Sequence, residues 1–405
     1  MSSLDATSEL YSPEFAPTWK RHYLHDLAIW VNGMAFRDIN FSATGIPVVK
    51  IAEVKSGVTG QTRFSSGHYD SKYRLEDGEI LFCWSGQPET SIDTYIWNRG
   101  PGWLNQHIFK VEPDDVLVER SFFYYLMRYL RPTFVRIARN KQTTGLGHVT
   151  KGDLRNISVG LPAVADQRAI ANTLRAVDDV IASKRRAIDL LDASFHALWQ
   201  RLYERCDAYV SLAEVVTTQY GLTASAGADP NGVKFLRVTD INKSNWISWN
   251  TVPSVQKENA GSGKYNLRLG DLVVARMADP GKSALFDDDA VPAVFASYLV
   301  RLQPRSYEEG LFIFGFLKSK HYIDYSMGAM GGSVQKNMNA RVIVGTRLRW
   351  PSSSDLEKFA SVVKPMRAAL NAHLREIDRL EELRDTMLPE LLSGRLNLTS
   401  AEDSA

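Results

Sequence analysis

Across residues 166–202 the apolar side chains recur in steps that alternate four and three: Ile170, Leu174, Val177 and Ile181, then Ile188, Leu191, Phe195, Leu198 and Leu202. That is a heptad seam, with Lys184 at the one core position lacking an apolar residue. A second seam runs through Phe359, Val363, Met366, Leu370, Ile377, Leu380, Met387 and Leu391, with His373 in the matching gap. There Arg384 stands where the first seam has Phe195, and the neighbouring Leu383 is expected to compensate. Ser354 and Glu357 have the spacing of a capping box, and Pro365 predicts a kink or a later helix start. Each seam extends over about 35 residues, or ~50 Å of helix, more than one small domain can cover. The narrow seams therefore predict helices that pair with each other.

Outside the seams the pattern shortens to strands separated by Gly, Asn, Asp and Pro. Residues 48–54 alternate as a half-buried strand does, and residues 271–275 form a short apolar run. These segments belong to a repeat. Residues 46–56 align with 233–243, 73–81 with 265–273, and 107–111 with 297–302. The aromatic helix expected at 122–129 aligns with 311–317, and 157–162 with 344–351. The order is the same and the offset stays near about 189 residues, so the chain is read as an internal duplication. Each copy is expected to be a mixed α/β globule of about 150 residues, with one helix before its final strand, followed by a long helix.

A length of 405 residues suits two or three folded units. Lys and Arg total 48 against 46 Asp and Glu, a net charge of +2. That excludes a polybasic nucleic-acid wrapper but leaves room for a folded DNA reader with local basic surfaces. Cys83 and Cys206 are too few for a disulfide framework or a Cys-ligated zinc. No apolar stretch approaches the ~20 residues of a membrane span, and residues 1–19 have no signal pattern. A soluble, cytoplasmic protein without a membrane partner is expected.

Catalytic motifs are weak. Gly281-Lys282-Ser283 resembles the end of a phosphate loop, but Arg276 stands where the upstream glycine belongs. Gly145-Leu146-Gly147 lacks the third glycine of a dinucleotide loop. His22 and His25 have no acidic or cysteine partner at ligand spacing, so no metal site is expected. No Asn-Pro-Pro-Tyr or Asp-Pro-Pro-Tyr segment of an amino-group DNA methyltransferase occurs; Asp279-Pro280-Gly281 is the nearest. Asp38 with Glu53 and Lys55 fits the loose spacing of a metal-dependent nuclease, which makes a stand-alone DNA nuclease the alternative reading. The repeat opposes it, since Asp240 and Asn242 answer Glu53 and Lys55 and the lysine is lost.

Three loop regions recur in both copies with groups suited to DNA. The first holds Lys55, Ser56, Thr59, Gln61 and Arg63, answered by Asn242, Lys243, Asn245 and Trp246. The second holds Trp84, Ser85 and Gln87, answered by Arg276 and Lys282. The third holds Arg136, Arg139, Lys141, Gln142, Thr143, Thr144 and His148, answered by Ser333, Gln335, Lys336, Asn337 and Asn339. Arg and Lys neutralise phosphates and read guanine edges, while Asn and Gln pair with adenine.

Over nearly its whole length the chain resembles the specificity subunit of type I restriction–modification enzymes. The resemblance is carried by Leu161-Pro162, then Asp166-Gln167-Arg168-Ala169-Ile170-Ala171 and the helix after it, and by the segment from Met387-Leu388-Pro389 to Gly394-Arg395-Leu396. Strand segments at 48–57 and 269–273 also fit its recognition domains. The resemblance implies an α/β protein with two tandem mixed α/β target-recognition domains, separated by two long antiparallel coiled-coil helices. The boundaries read as 1–163 and 207–352 for the domains, 164–206 and 353–396 for the spacer helices, and 397–405 for a tail. It implies a non-catalytic DNA reader in which each domain reads half of a bipartite double-stranded target. Two modification subunits would dock on the helices, joined by restriction subunits where the system has them. S-adenosylmethionine, ATP and Mg would be bound by those partners, with no cofactor in this chain. Pro365 and Arg384 depart from a regular second seam.

The duplication adds a geometric expectation. Two equivalent helices related by a pseudo-twofold axis run antiparallel, and their midpoints meet. Lys184 and His373 are then expected close together, where polar core residues fix the register of the spacer.

Overall fold

The computed structural model describes residues 13–142, 145–261, 263–330 and 337–398. Contacts divide the chain into two units, one comprising Met1–Val180 and Glu381–Ala405, the other Ile181–Leu380. Both long helices contribute to both units.

In the first unit the strand Lys20–Tyr23 pairs antiparallel with Ser158–Leu161. The main sheet is antiparallel, in the order Ala28–Asn32, Ile108–Pro113, Glu79–Cys83 and Asp93–Trp97. Beside it Ile46–Val49 runs parallel to Gly102–Leu104. Helices Arg120–Tyr129 and Arg131–Asn140 contribute Phe122, Phe123 and Phe134 to a core shared with Trp30, Phe82 and Phe109. Aromatic side chains bury large areas, and here they join the sheet to the helix pair.

The second unit repeats this plan. Ala208–Ser211 pairs with Arg347–Trp350, and the main sheet runs Val216–Tyr220, Leu299–Pro304, Leu272–Ala275 and Ser283–Leu285. Val233–Leu236 runs parallel to Ala293–Phe295, and helices Tyr307–Lys318 and Lys320–Met330 follow. The correspondence reaches single residues. A Cβ on Gly33 would lie 2.1 Å from the Asn105 carbonyl oxygen, and one on Gly221 would lie 2.2 Å from that of Ala296. Only glycine allows this close backbone approach. Lys110 pairs with Glu79 at 3.1 Å where Arg301 pairs with Asp271 at 3.4 Å.

Some local expectations are corrected. Residues 48–54 do not form one strand: the strand ends at Val49 and a helix occupies Ile51–Ser56. Glu53 Oε2 accepts the Lys50 N–H at 3.1 Å and starts that helix, as Asp240 Oδ2 accepts the Arg237 N–H at 2.9 Å for Val238–Ile241. The alternation is equally compatible with a strand and with a capped helical turn; the cap decides between them. Among the described residues each copy has three helices, not one, between its main sheet and final strand, the third being Lys151–Leu154 or Ala340–Ile343.

The long helices span Val164–Arg205 and Ser353–Ser393. Pro365 lies inside the second and does not delay its start. The cap is Ser352, not Ser354: Ser352 Oγ accepts the Asp355 N–H at 3.2 Å and donates to Asp355 Oδ2 at 2.7 Å. In each unit the helices run antiparallel. In the second, Phe195 meets Phe359 and Lys184 meets Glu376. In the first, Asp178 meets Arg384 at 2.9 Å, while Ile170 and Gly394 line one small cavity. Arg384 is thus an ion-pair partner, and the half-exposed Leu383 does not stand in for it. Among the described residues no helix is long and apolar enough to cross a membrane.

Candidate nucleic-acid interface

In the first unit the three loops gather around the short helix Pro88–Ser91. Lys55, on the exposed side of Ile51–Ser56, donates from Nζ to the Thr90 carbonyl at 2.8 Å. Ser56 ends that helix in the open. Thr59 Oγ1 accepts the Gln61 N–H at 3.2 Å, and Arg63 lies 5.3 Å from the Phe41 ring centre. Ser85–Gly86 pairs antiparallel with Gly147–His148, joining the second loop to the third. Gln87 Oε1 accepts from Thr90 Oγ1 at 3.4 Å. Arg139 pairs with Glu89, and Lys141 with Asp153 at 2.5 Å, so both cations are neutralised locally. Lys55 and Arg63 rest on a carbonyl and a ring, and their charge faces solvent. Gln142 donates to the Gly145 carbonyl at 2.6 Å.

Trp84 sits where the loops converge. Its Nε1 donates to Asn32 Oδ1 at 2.9 Å, and its ring lies 5.7 Å from His107 and 5.6 Å from Phe109. Burial holds the His107 pKa below the usual imidazole range. The Trp84 N–H reaches the His107 carbonyl at 3.3 Å, and the Trp84 carbonyl accepts the Val149 N–H at 2.8 Å.

The second unit has the same node with other side chains. The Arg276 N–H donates to the Tyr298 carbonyl at 2.9 Å, and the Arg276 carbonyl accepts the Met338 N–H at 2.8 Å. Its guanidinium lies 4.9 Å from the Tyr220 ring centre, in the place of the Trp84–Asn32 pair. Tyr220 and Tyr298 are about half exposed, and the loop inventory missed both. Their signal was their position in the repeat, opposite Asn32 and beside His107. Lys243 and Lys282 are exposed, and Asn337 is exposed next to Met338. Lys282 edges a cavity of about 570 Å³ that also contains His196, Asn245, Ser283 and Lys318. There burial, reinforced by Lys282, pushes the Lys318 amine down to about 8. Ser283 begins a strand, not a helix, so Gly281-Lys282-Ser283 forms no phosphate loop.

Several sequence candidates have structural duties. Asn339 Oδ1 accepts the Val342 N–H at 2.9 Å and caps Ala340–Ile343, as Thr150 caps Lys151–Leu154. Asn242 is half-buried, with its Oδ1 unpaired among the described residues. Asn245 turns to the first long helix, donating to Asp192 Oδ2 at 2.7 Å. Thr143, Thr144, Ser333, Gln335 and Lys336 lie outside the described residues. Lys184 and His373 both reach Glu376 Oε2, the histidine Nδ1 at 3.4 Å.

The nuclease alternative is overturned on its own residues. Glu53 is buried, with Oε2 on the Lys50 N–H and Oε1 accepting from Thr62 Oγ1 at 3.0 Å. Lys55 points to Thr90, and Asp38 lies in a separate turn, Asp38–Asn40. Among the described residues no group of three His, Cys, Asp or Glu side chains could hold a metal ion.

The family model described as "Type I restriction modification DNA specificity domain" matches residues 18–192. The Type I restriction enzyme EcoBI specificity subunit of Escherichia coli is 21% identical, covering 96% of this chain and 90% of that protein. The MjaVIII specificity subunit of Methanocaldococcus jannaschii is also 21% identical, over 80% of each chain. Residues 18–192 thus match the type I restriction–modification specificity domain, and most of the chain is similar to specificity subunits of such systems. The fold agrees: a crystal structure of the S subunit of such a system from M. genitalium superposes with a TM-score of 0.58, at 14% identity, over 93% of this chain and 96% of that one. A type I specificity subunit recognises the DNA target and is a non-catalytic component of the complex. The two strand-rich units and the two long helices are the architecture of that family.

Proposed function

We propose that each unit reads one half of a bipartite double-stranded DNA target, while the paired helices dock two modification subunits. S-adenosylmethionine, and with restriction subunits ATP and Mg, would be held by those partners in the cytoplasm. The observation that carries this reading is the node repeated in both units. Trp84 and Arg276 occupy one backbone position and receive the same two loops, yet one offers an indole beside Asn32 and the other a guanidinium over Tyr220. A shared frame with different side chains suits the reading of two different half-sites, since backbone contacts position a protein and side chains on base edges specify sequence. Lys55, Ser56, Arg63, Gln87 and His148 would serve the first half, and Lys243, Lys282 and Asn337 the second.

The test is to map methylated bases in a genome with and without this gene, then with loop exchanges. Exchanging residues 55–63 should change one half of the target and exchanging 242–246 the other. An exchange that altered both halves would defeat the assignment.

A further inference from the structure

The second unit contains a buried polar cluster that helix pairing alone does not require. Arg367 of the second long helix is only 1% exposed, with its guanidinium 5.9 Å from the Phe195 ring and 5.4 Å from that of Phe314. Its Nε donates to Asp287 Oδ2 at 2.6 Å, and its Nη1 stands 3.9 Å from Asp192 Oδ1. Nη1 and Nη2 have no hydrogen-bond partner among the described residues. Asp192, on the first long helix, accepts from Asn245 at 2.7 Å, and Asn245 also reaches His196 Nε2 at 3.3 Å. Farther along the same loop, Asn250 Nδ2 donates to Asp378 Oδ1 on the second long helix at 2.6 Å.

The loop at 242–250 is therefore moored to both helices, one anchor on each. A buried ion set of this kind adds little stability over apolar packing, but the hydrogen bonds at its two ends, Asn245 to Asp192 and Arg367 to Asp287, are directional, and the charge of Arg367 holds Asp192 between them at 3.9 Å. Among the described residues the first unit shows no such arrangement. Its loop at 55–63 is braced by local groups: the Thr59 N–H donates to Thr62 Oγ1 at 2.9 Å, and Thr62 Oγ1 donates to Glu53.

We infer that Asn245, Asp192 and Arg367 form a positioning chain that sets the 242–246 loop against the bases of one half-site. Helix geometry and base discrimination are then coupled in the second unit and uncoupled in the first. This rests on the half-site reading above.

The experiment uses the full chain assembled with its modification subunits and reads methylation on a library randomised in both half-sites. The unaltered complex comes first: a target that is not bipartite overturns the half-site reading itself. Given a bipartite target, Asn245→Ala should relax discrimination at the half-site assigned to residues 242–246 by about tenfold at one or two base pairs, leaving the other half unchanged. Arg367→Lys should retain more of that discrimination than Arg367→Met, because lysine keeps a donor for Asp287. Asn245→Ala is a loop substitution, so the test holds even if Arg367→Met fails to fold. Unchanged discrimination in Asn245→Ala, or equal loosening of both half-sites, overturns the proposal. So does a loss of thermal stability with the specificity profile intact, which would mark the chain as structural only.

Discussion

At one point of the repeat the two units join their long helices with opposite chemistries. In the first, Asp178 accepts from Arg384 at 2.9 Å and from the Tyr125 hydroxyl at 2.7 Å. In the second, Arg367 lies against the adjoining rings of Phe195 and Phe314 and pairs with Asp287 at 2.6 Å. Each residue matches its counterpart at an offset of about 189: Asp178 with Arg367, Arg384 with Phe195, and Tyr125 with Phe314. The duplicated frame thus keeps its register while the helix-to-helix ion pair gives way to a cation packed against rings and paired with a carboxylate outside the helices. What the pseudo-symmetry preserves is the position of the contact, not its energetics. The first crossing is closed upon itself, whereas the second opens through Asp192 and Asp287 toward a loop.

The sharpest way to break the comparison is to remove the buried cation. Arg367→Met leaves Asp192 and Asp287 buried without it and should cost ~3–5 kcal/mol, read by chemical denaturation. Asp178→Ala should cost less, ~1–3 kcal/mol, because Arg384 and the Tyr125 hydroxyl lose their acceptor but Arg384 keeps Asp385. A double-mutant cycle with Arg384→Ala should show coupling between Asp178 and Arg384. Transplanting the second crossing into the first, as Asp178→Arg with Arg384→Phe and Tyr125→Phe, should restore part of the stability lost in Asp178→Arg alone.

Lys318 offers a smaller effect confined to the second unit. Burial and the nearby Lys282 lower its pKa to about 8, against the ordinary lysine value near ~10.4. Between those values the unfolded chain binds the extra proton, so the folded state gains stability as pH rises through that window. Lys318→Met should flatten this gain, measured as the change in Tm between pH 7.5 and 10. The smallest effect is expected at Glu376. Lys184, and then His373, hold its carboxyl below the ordinary range. Its contribution is present above the usual glutamate range and is lost as pH falls through the lowered value. At an exposed site the Tm difference between wild type and Glu376→Gln should be slight, should vanish in acid, and should shrink with added salt.

The heptad seams and the five-block repeat were legible because they depend on spacing alone, and spacing survives divergence of the residues themselves. Symmetry led to the expectation that Lys184 and His373 face each other; the structure puts both on Glu376, which carried no signal of its own. Glu53 and Lys55 show where sequence reading fails. An acidic residue two positions before a lysine has the same spacing in a nuclease as in a helix cap, and only the Lys50 N–H and the Thr62 hydroxyl decide which it is. Asn339 looked like a base reader for a similar reason, since asparagine serves both as a cap and as an adenine partner.

By itself the sequence determined the duplication, the two paired helices, the α/β class and the family resemblance, because periodicity and order along the chain are one-dimensional properties. The tertiary structure alone decided which polar side chains are available. Asn245 binds Asp192 across 53 positions and Arg367 binds Asp287 across 80, and nothing local to either residue announces its partner. A hydrogen bond requires two groups within about 3 Å in a suitable orientation, and for residues so far apart only the folded chain supplies that distance.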